Sequence, residues 1–287
     1  FCPPGLKRGF FPQGIGSAPR ATRHPPNRGF MLPLHQKRLF TGLALIALLF
    51  GFLSWGGWPL RLAVALVSGL ALWEFLDMYW PKGVYLGRKA LAQLLSLLVV
   101  LSQALDPLWT LAALAVAFVA VGVYFLVDYG SGDVDARLGH YSPILHGLFY
   151  IPLFLQLALY LTPAEQWLVL LAAVAADTGG YYAGSLFGRH KLWPIVSPKK
   201  TWEGFFGGMA LCVLVCTLLA AAAKSADWRM LDLPLWSWPI MGLVLHIAAL
   251  FGDFFESALK RTLGVKDSGA ILPGHGGILD RIDSILF

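Results

Sequence analysis

Long runs of apolar residues recur along almost the whole chain and constrain its fold more than any other feature. The chain is 57% hydrophobic and only 13% charged, whereas soluble domains carry roughly a quarter charged residues. A helix needs roughly 20 mostly apolar residues to cross a bilayer, so a chain of 287 residues has room for about nine spans and little else. The sequence therefore predicts an all-α, polytopic membrane helix bundle.

The candidate spans follow the apolar runs between polar breaks. We place them at 39–56, 58–80, 91–105, 107–127, 144–161, 164–187, 203–223 and 236–258, with a ninth that opens at Ile278. Only Asp106-Pro107 separates the third run from the fourth, so these two runs can also be interpreted as a single broken span. The distribution of positive charge decides between these two interpretations.

Positive charge collects on one side of the membrane when all nine spans are counted. If Lys37 and Arg38 lie inside, most other Lys and Arg residues also fall in inside loops, and merging the third and fourth runs destroys this pattern. Such an excess is typical of cytoplasmic loops. Topology thus explains the net charge of +6, and we expect no nucleic-acid partner. The pattern predicts a multi-pass inner-membrane protein with its N-terminus and active site in the cytoplasm.

The two ends of the chain differ from its body. Residues 1–30 are rich in proline and have no apolar period, so we expect a disordered or spurious N-terminal extension there. A single integral membrane catalytic domain is expected over 31–287. Only about ten residues follow the opening of the last span, roughly half of what a bilayer requires, so we expect that span to be truncated.

The most informative ionisable residues lie at the end of the eighth span and in the stretch after it. One helix face is expected to carry four residues spaced i, i+3, i+4 and i+7: Asp253, Glu256, Ser257 and Lys260. Asp280 and Asp283 repeat the i, i+3 spacing. Carboxylates suit hard cations, and Mg²⁺ takes one or two of them together with water and substrate phosphates. The alternative is an ion-pair network that anchors the helix ends.

Four cations beside these acids suit a polyphosphate. They are Lys260, Arg261, Lys266 and Arg281. Acids that hold metal and cations that neutralise phosphate together fit a nucleoside triphosphate. His275, in a Pro-Gly-His-Gly-Gly stretch, is either an acid–base group, with a reference pKa of about 6.5, or a hydrogen-bonding strut.

Two further clusters lie near helix ends. Ser197, Lys199, Lys200 and Thr201 precede an apolar run. Thr201 can cap that helix, whose free N–H groups would form a phosphate site with the two lysines. Asp177 lies late in another apolar run, where an unpaired carboxylate costs roughly 2.5–3.5 kcal/mol. It therefore needs a metal, a substrate group or a lysine as its partner.

Other polar residues in the apolar runs have structural explanations. We expect His246 to be a buried, hydrogen-bonded core histidine rather than a functional group. Glu74 and Asp77 close the second span, where we interpret them as a helix-end anchor rather than as part of the chemistry. Cys212 and Cys216 lie four residues apart in an apolar run and are expected to pack there.

The order and spacing of these motifs match those of a known family. The motifs are Asp177-Thr178-x2-Tyr181, the stretch 187–191, the stretch 197–204, and the long run from Ser257 to Asp283 with Lys266-Asp267-Ser268-Gly269 and Pro273-Gly274-His275-Gly276-Gly277. They resemble those of the phosphatidate cytidylyltransferases, also called CDP-diacylglycerol synthases. The likeness is sharp over 177–285 and only topological from Met31 to 176.

The resemblance implies a nucleotidyltransferase in which the phosphate of phosphatidic acid attacks the α-phosphorus of CTP and pyrophosphate leaves. It also implies a metal pair, Mg²⁺ with K⁺, around Asp253 and Asp280. The residues expected to be catalytic are Asp253, Asp280, Asp283, Lys260, Arg261, Lys266, Arg281 and His275. Those expected to bind substrate are Ser197, Lys199, Lys200, Thr201, Asp177 and Glu256.

Two other functions remain open. A cation-coupled transporter would place Asp177 and Asp253 along an ion path, although loops rich in Lys and Arg suit a polyphosphate better. A related CTP-dependent enzyme acting on another lipid phosphate or on a polyprenol is a closer rival, since the lipid-facing surfaces are generic. A homodimer packed through Gly204, Gly207 and Gly208 is a further expectation.

Overall fold

The helices of the bundle follow the apolar runs in order. The computed structural model describes residues 34–80, 82–132, 137–225, 230–231, 233–272 and 276–287, with side chains from residue 42 onward. The elements are α1 (Leu34–Trp55), α2 (Gly57–Tyr79), α3 (Leu86–Ser102), α4 (Pro107–Gly130), α5 (Ser142–Tyr150), α6 (Pro152–Leu157), α7 (Pro163–Phe187), β1 (Lys191–Trp193), β2 (Ser197–Thr201), α8 (Trp202–Ser225), α9 (Trp238–Thr262) and α10 (Leu279–Ile282). The predicted extension at 1–30 lies outside the described residues.

Five segments within the described residues are long and apolar enough to cross a membrane. They are Gly57–Tyr79, Pro107–Gly130, Leu138–Tyr160, Trp202–Ser225 and Leu235–Thr262, and Gly42–Trp55 is a shorter apolar helix. Large apolar side chains cover their outer faces: Leu111, Phe118 and Leu126 of α4 are 64%, 65% and 63% exposed. Apolar surface of this kind suits lipid. The segments indicate a multi-pass membrane protein, and the count of nine spans stays a prediction.

The fifth apolar run is long and apolar enough to cross a membrane, as predicted, but it is not one continuous helix. The α5 helix ends at Tyr150 and α6 begins at Pro152. Proline has no N–H to donate and its ring crowds the preceding turn, so it is tolerated in the first turn of a helix and breaks a helix interior. A 3-10 turn, Ala158–Tyr160, completes the segment.

A small hairpin interrupts the all-α architecture that the sequence predicts. The strands β1 and β2 pair antiparallel, with Lys191 opposite Thr201 and Trp193 opposite Ser197. Strands of three and five residues are too short for an alternating pattern to stand out in the sequence. The hairpin joins α7 to α8 and carries the lysines of the second predicted cluster.

Two buried apolar clusters hold the bundle together. The first packs α2, α3, α5 and α6 around Phe75 and Ile144, and it includes Leu279 of α10. The second packs α7, α8 and α9 around Cys212 and Cys216, both 0% exposed. The predicted packing role of the two cysteines is confirmed. Burial of Leu279 against α2 ties the C-terminal segment to the first half of the chain.

The α7 and α8 helices approach each other through glycines. A Cβ on Gly204 would lie 2.8 Å from the carbonyl oxygen of Gly180, and one on Gly207 would overlap the Cβ of Ala183. Small residues at such positions let two backbones come close. These are glycines for which the sequence suggests a dimer contact, and they pack instead within the chain.

Candidate functional site

The end of α9 presents a face of polar and charged side chains. The hydroxyl of Ser257 donates to Asp253 Oδ1 at 3.2 Å, and the ammonium of Lys260 donates to Glu256 Oε2 at 2.6 Å. Each pair spans one helical turn. The prediction that these four residues share one face is therefore confirmed.

Lys260 connects this face to α10. Its ammonium also donates to Asp280 Oδ1 at 2.8 Å. The sequence assigns Lys260 to the charge of a triphosphate, whereas in the structure two carboxylates already engage it. Its placement makes it a bridge that fixes α10 against α9.

Asp280 is held from several sides. Its Oδ2 accepts the N–H of Gly277 at 2.9 Å, and both its oxygens lie 3.2 Å from the N–H of Ser268. The ammonium of Lys260 and these two N–H groups all donate to Asp280, and such donors stabilise the charged form of a carboxylate. The side chain is thus held in place as a hydrogen-bonded carboxylate.

Asp283 begins a 3-10 turn after α10, so the two aspartates do not share one regular helix as the spacing suggests. Its Oδ1 accepts the N–H of Ser284 at 2.7 Å. Asp283 is buried, and the negative charge of Asp253 acts on it. A cation bound beside the two carboxylates would offset this repulsion.

Lys200 brings the hairpin against the same face. Its ammonium forms an ion pair with Asp253 Oδ2 and lies 4.9 Å from the ring centroid of Phe254. Thr201 accepts the N–H of Gly204 at 3.1 Å and so caps α8, as predicted. The charged face of α9 and the predicted cluster at 197–201 are therefore one site.

A cavity of about 360 Å³ lies between α7, α8, α9 and the hairpin. The polar residues of its wall are Asp177, Tyr181, Ser185, Lys199, Lys200, Thr201 and His246, and the rest is small or apolar. Lys200 lines the cavity together with Asp177 and its charge attracts that of Asp177, although its ion pair is with Asp253. The partner of Asp177 therefore stays open between a metal, a substrate group and this lysine. Ser197 faces Trp193 across the hairpin and does not line this cavity.

The remaining predicted cations differ in their placement. Arg261 and Lys266 are exposed beyond the charged face of α9. Arg281, on α10, is exposed and close enough to Asp177 for their charges to attract. His275 lies outside the described residues, and both interpretations of it stay open.

Glu74 also belongs to the site, a role that its position in the sequence does not predict. This side chain of α2 is 2% exposed, and its Oε2 accepts the N–H of Leu279, 205 residues away, at 3.0 Å. A Cβ on Gly277 would lie 2.6 Å from the same oxygen. Glu74 therefore supports the loop that leads into α10 and is not simply a helix-end anchor. A lone acid at a helix end gives no signal of so distant a partner.

The comparison with known proteins agrees with this geometry. The model of the cytidylyltransferase family matches residues 36–287. The chain belongs to this family. The matched range of this cytidylyltransferase runs from α1 to the last residue, so the entire site lies inside the family domain. The resemblance indicated by the motifs is confirmed.

Named relatives of this cytidylyltransferase match most of its length. The phosphatidate cytidylyltransferase of Staphylococcus epidermidis is 32% identical over 259 residues, which cover 87% of this chain and 94% of that protein. The phosphatidate cytidylyltransferase of Synechocystis is 35% identical over 283 residues, 88% of this chain and 92% of that protein. The chloroplastic phosphatidate cytidylyltransferase 5 of Arabidopsis thaliana is 34% identical over 288 residues, 88% of this chain and 69% of that protein.

The donor set of this cytidylyltransferase fits a hard divalent cation. Its carboxylates are Asp177, Asp253, Glu256, Asp280 and Asp283, and the cations acting on them are Lys200, Lys260 and Arg281. Acid is therefore in excess. Within the described part of the chain, no three His, Cys, Asp or Glu side chains surround one metal position. One or two carboxylates are enough for Mg²⁺, because water and substrate phosphates complete its shell.

Proposed function

We propose that this chain is a phosphatidate cytidylyltransferase, which converts CTP and phosphatidic acid into CDP-diacylglycerol and pyrophosphate. The observation that carries this proposal is the meeting of a carboxylate-rich face on α9 and α10 with the lysines of the hairpin, beside a cavity walled by apolar helices. Carboxylates serve metal and phosphate chemistry, and apolar walls suit a lipid. The named relatives that match most of the chain support the same reaction.

The chemistry asks for positioning and charge neutralisation. The phosphate of phosphatidic acid is already an anion, so it attacks the α-phosphorus of CTP without a strong general base. Lys199 and Lys200, with the N–H groups at the capped start of α8, hold one of the two phosphates. Arg261, Lys266 and Arg281 neutralise the triphosphate. Pyrophosphate leaves as the new phosphorus–oxygen bond forms.

The proposed metal ligands are Asp253 and Asp280, with Asp283 in support. Mg²⁺, together with K⁺, would neutralise charge on the phosphates during the displacement. Asp253 is oriented by Ser257 and Lys200, and Asp280 by Lys260, so both carboxylates are held before substrate arrives. Glu256, buried beneath them, keeps Lys260 in its bridging place.

The proposal also includes a topology. We place the site on the cytoplasmic side of an inner membrane, with nine spans and the N-terminus inside, because the Lys and Arg residues of the inside loops favour that orientation. A homodimer remains part of the proposal. It would use surfaces other than Gly204 and Gly207, since these glycines pack against α7.

The test uses the full chain in detergent with labelled CTP and Mg²⁺, offered phosphatidic acid in one arm and a polyprenyl phosphate in the other. We expect CDP-diacylglycerol from the first arm and no labelled lipid from the second. Labelled product from the polyprenyl phosphate alone would assign the chain to the related class of enzyme. Folded protein that labels neither lipid would overturn the proposed reaction.

A further inference from the structure

His246 lies on α9 in the wall of the cavity, and nothing in the reaction described so far uses it. Its side chain is 4% exposed. Neither ring nitrogen completes a hydrogen bond with a described residue, although the carbonyl of Phe205 is close enough to interact with the ring. The expected burial is confirmed, but the hydrogen bond expected of a core histidine is missing. A buried polar group without a partner is costly to keep.

The imidazole is also held in place. Its ring centroid lies 5.0 Å from that of Phe205. A Cβ on Gly208 would lie 2.8 Å from the Cε1 atom of the ring, closer than real Cβ atoms approach their neighbours. The α8 helix therefore accommodates the ring only because glycine stands at 208. A ring packed this closely and left without a partner is suited to receive one from a ligand.

The position of His246 indicates which part of a ligand it meets. It precedes Asp253 by seven residues on α9, so the two share a face and lie about 10 Å apart along the helix axis. Lys200, the partner of Asp253, lines the same cavity as His246. Along α9, Ala249 and Leu250 lie between His246 and Asp253, and both line the cavity. A ligand whose phosphate is bound by Lys200 thus extends along the α9 wall, where His246 is the one polar side chain that lines the cavity.

We propose that His246 donates a hydrogen bond to an ester carbonyl of phosphatidic acid, and that this cavity holds the glycerol ester region of the lipid. The inference rests on the proposed function. Phosphatidic acid carries its ester carbonyls a few bonds from its phosphate, and those oxygens only accept hydrogen bonds. A neutral imidazole has one N–H to donate. The cytosine base of CTP presents both donors and acceptors, and along α9 the neighbours of His246 in this wall, Ala249 and Leu250, offer no side-chain partner for them.

This assignment makes the enzyme sensitive to the linkage of the lipid chains. A site built to hydrogen-bond a group discriminates against an analogue that lacks it. A dialkyl ether phosphatidic acid keeps the phosphate and the chains but has no carbonyls. We expect the parent to prefer the diacyl lipid in kcat/KM by about tenfold, the order of one hydrogen bond.

The experiment measures kcat/KM for diacyl and dialkyl phosphatidic acids of equal chain length, with the full chain in detergent. The variants are His246→Phe, which removes the donor, His246→Gln and His246→Asn, which keep an N–H near one or the other ring nitrogen, and His146→Phe as a control. His146 is exposed on α5 and does not line the cavity. We expect His246→Phe to bring the diacyl preference to about one, one of the two amide variants to retain part of it, and His146→Phe to match the parent.

Three outcomes would overturn the inference. The first is a parent that does not distinguish the two lipids. The second is a His246→Phe variant that loses the same factor on both lipids, which would make the role structural. The third is a raised KM for CTP with the lipid preference intact, which would assign the wall to the nucleotide. If the phenylalanine variant does not fold, the ratios of the amide variants decide. Failure of the proposed function differs from all three, because the parent would then make no lipid product.

Discussion

The bundle contains two groups of buried charged residues, and they differ in charge balance. In the first half of the chain, Lys89 is 0% exposed and pairs with Asp77, while Arg88 is 2% exposed and pairs with Asp128 at 3.4 Å. The hydroxyl of Tyr141 also donates to Asp128. Each cation in this group has its own acid. The group is electrically balanced, and both of its cations are buried.

The group in the second half of the chain has an excess of acid and an opening. Lys260 alone bridges Glu256 and Asp280, and Lys200 joins Asp253 beside a cavity of about 360 Å³. Ionisable residues in membrane helices are functional candidates by default. The comparison teaches that charge balance and access separate a structural group from a functional one.

The largest effect on stability is expected from the balanced group. The Asp77→Asn substitution leaves the fully buried Lys89 without its counter-charge, which should cost about 3–5 kcal/mol of unfolding free energy. Thermal unfolding in detergent measures the loss. Activity per folded molecule should stay close to that of the parent. A variant that unfolds normally but has lost turnover would break the comparison.

The largest effect on activity is expected from the acid-rich group. The Asp253→Asn substitution removes a proposed metal ligand, so turnover should fall by about a hundredfold or more. Its unfolding temperature should change little, because the remaining carboxylates of the group still balance its partly buried cation, Lys260. Steady-state kinetics and thermal unfolding on the same sample separate the two effects. A variant that keeps full turnover would contradict the assignment of Asp253.

A smaller effect is expected where α7 meets α8. The Gly207→Ala substitution places a methyl group against Ala183, and overpacking of this kind costs about 1–3 kcal/mol. The matched control is Gly122→Ala in α4, where nothing lies within 4 Å of the new Cβ. That control should stabilise the helix by roughly 0.5–1 kcal/mol. Equal stability of the two variants would argue against close packing of α7 on α8.

The smallest effect is expected at the support for the loop. The Glu74→Leu substitution leaves the N–H of Leu279 unpaired, which should lower the free energy of unfolding by about 1–3 kcal/mol. It should also loosen the segment that carries Asp280. A magnesium titration of activity should show a raised half-saturating concentration. Glu165→Gln is the control, since Glu165 belongs to the capping box at the start of α7. An unchanged magnesium requirement in Glu74→Leu would leave Glu74 with no part in the site.

The sequence predicts the helices well because lipid leaves an apolar run few alternatives to a helix. It also predicts the charged face of α9, since the spacing of Asp253 and Lys260 alone determines which side of a helix they share. It misses the hairpin and the break at Pro152, which depend on how neighbouring segments pack. The contact of Glu74 with Leu279 is missed for a related reason, because a partner so far along the chain is not visible in local spacing. The burial of His246 is predicted, but the lack of a hydrogen-bond partner for its ring is not.

The most direct test of the central claim, that the acid-rich group is the metal and phosphate site, compares two matched aspartates. Product formation from CTP and phosphatidic acid is followed against magnesium concentration in the parent, in Asp280→Asn and in Asp128→Asn, with each rate corrected for the folded fraction. We expect magnesium-dependent CDP-diacylglycerol in the parent and in Asp128→Asn, and its loss in Asp280→Asn. Parent-like, magnesium-dependent turnover in folded Asp280→Asn would contradict the claim.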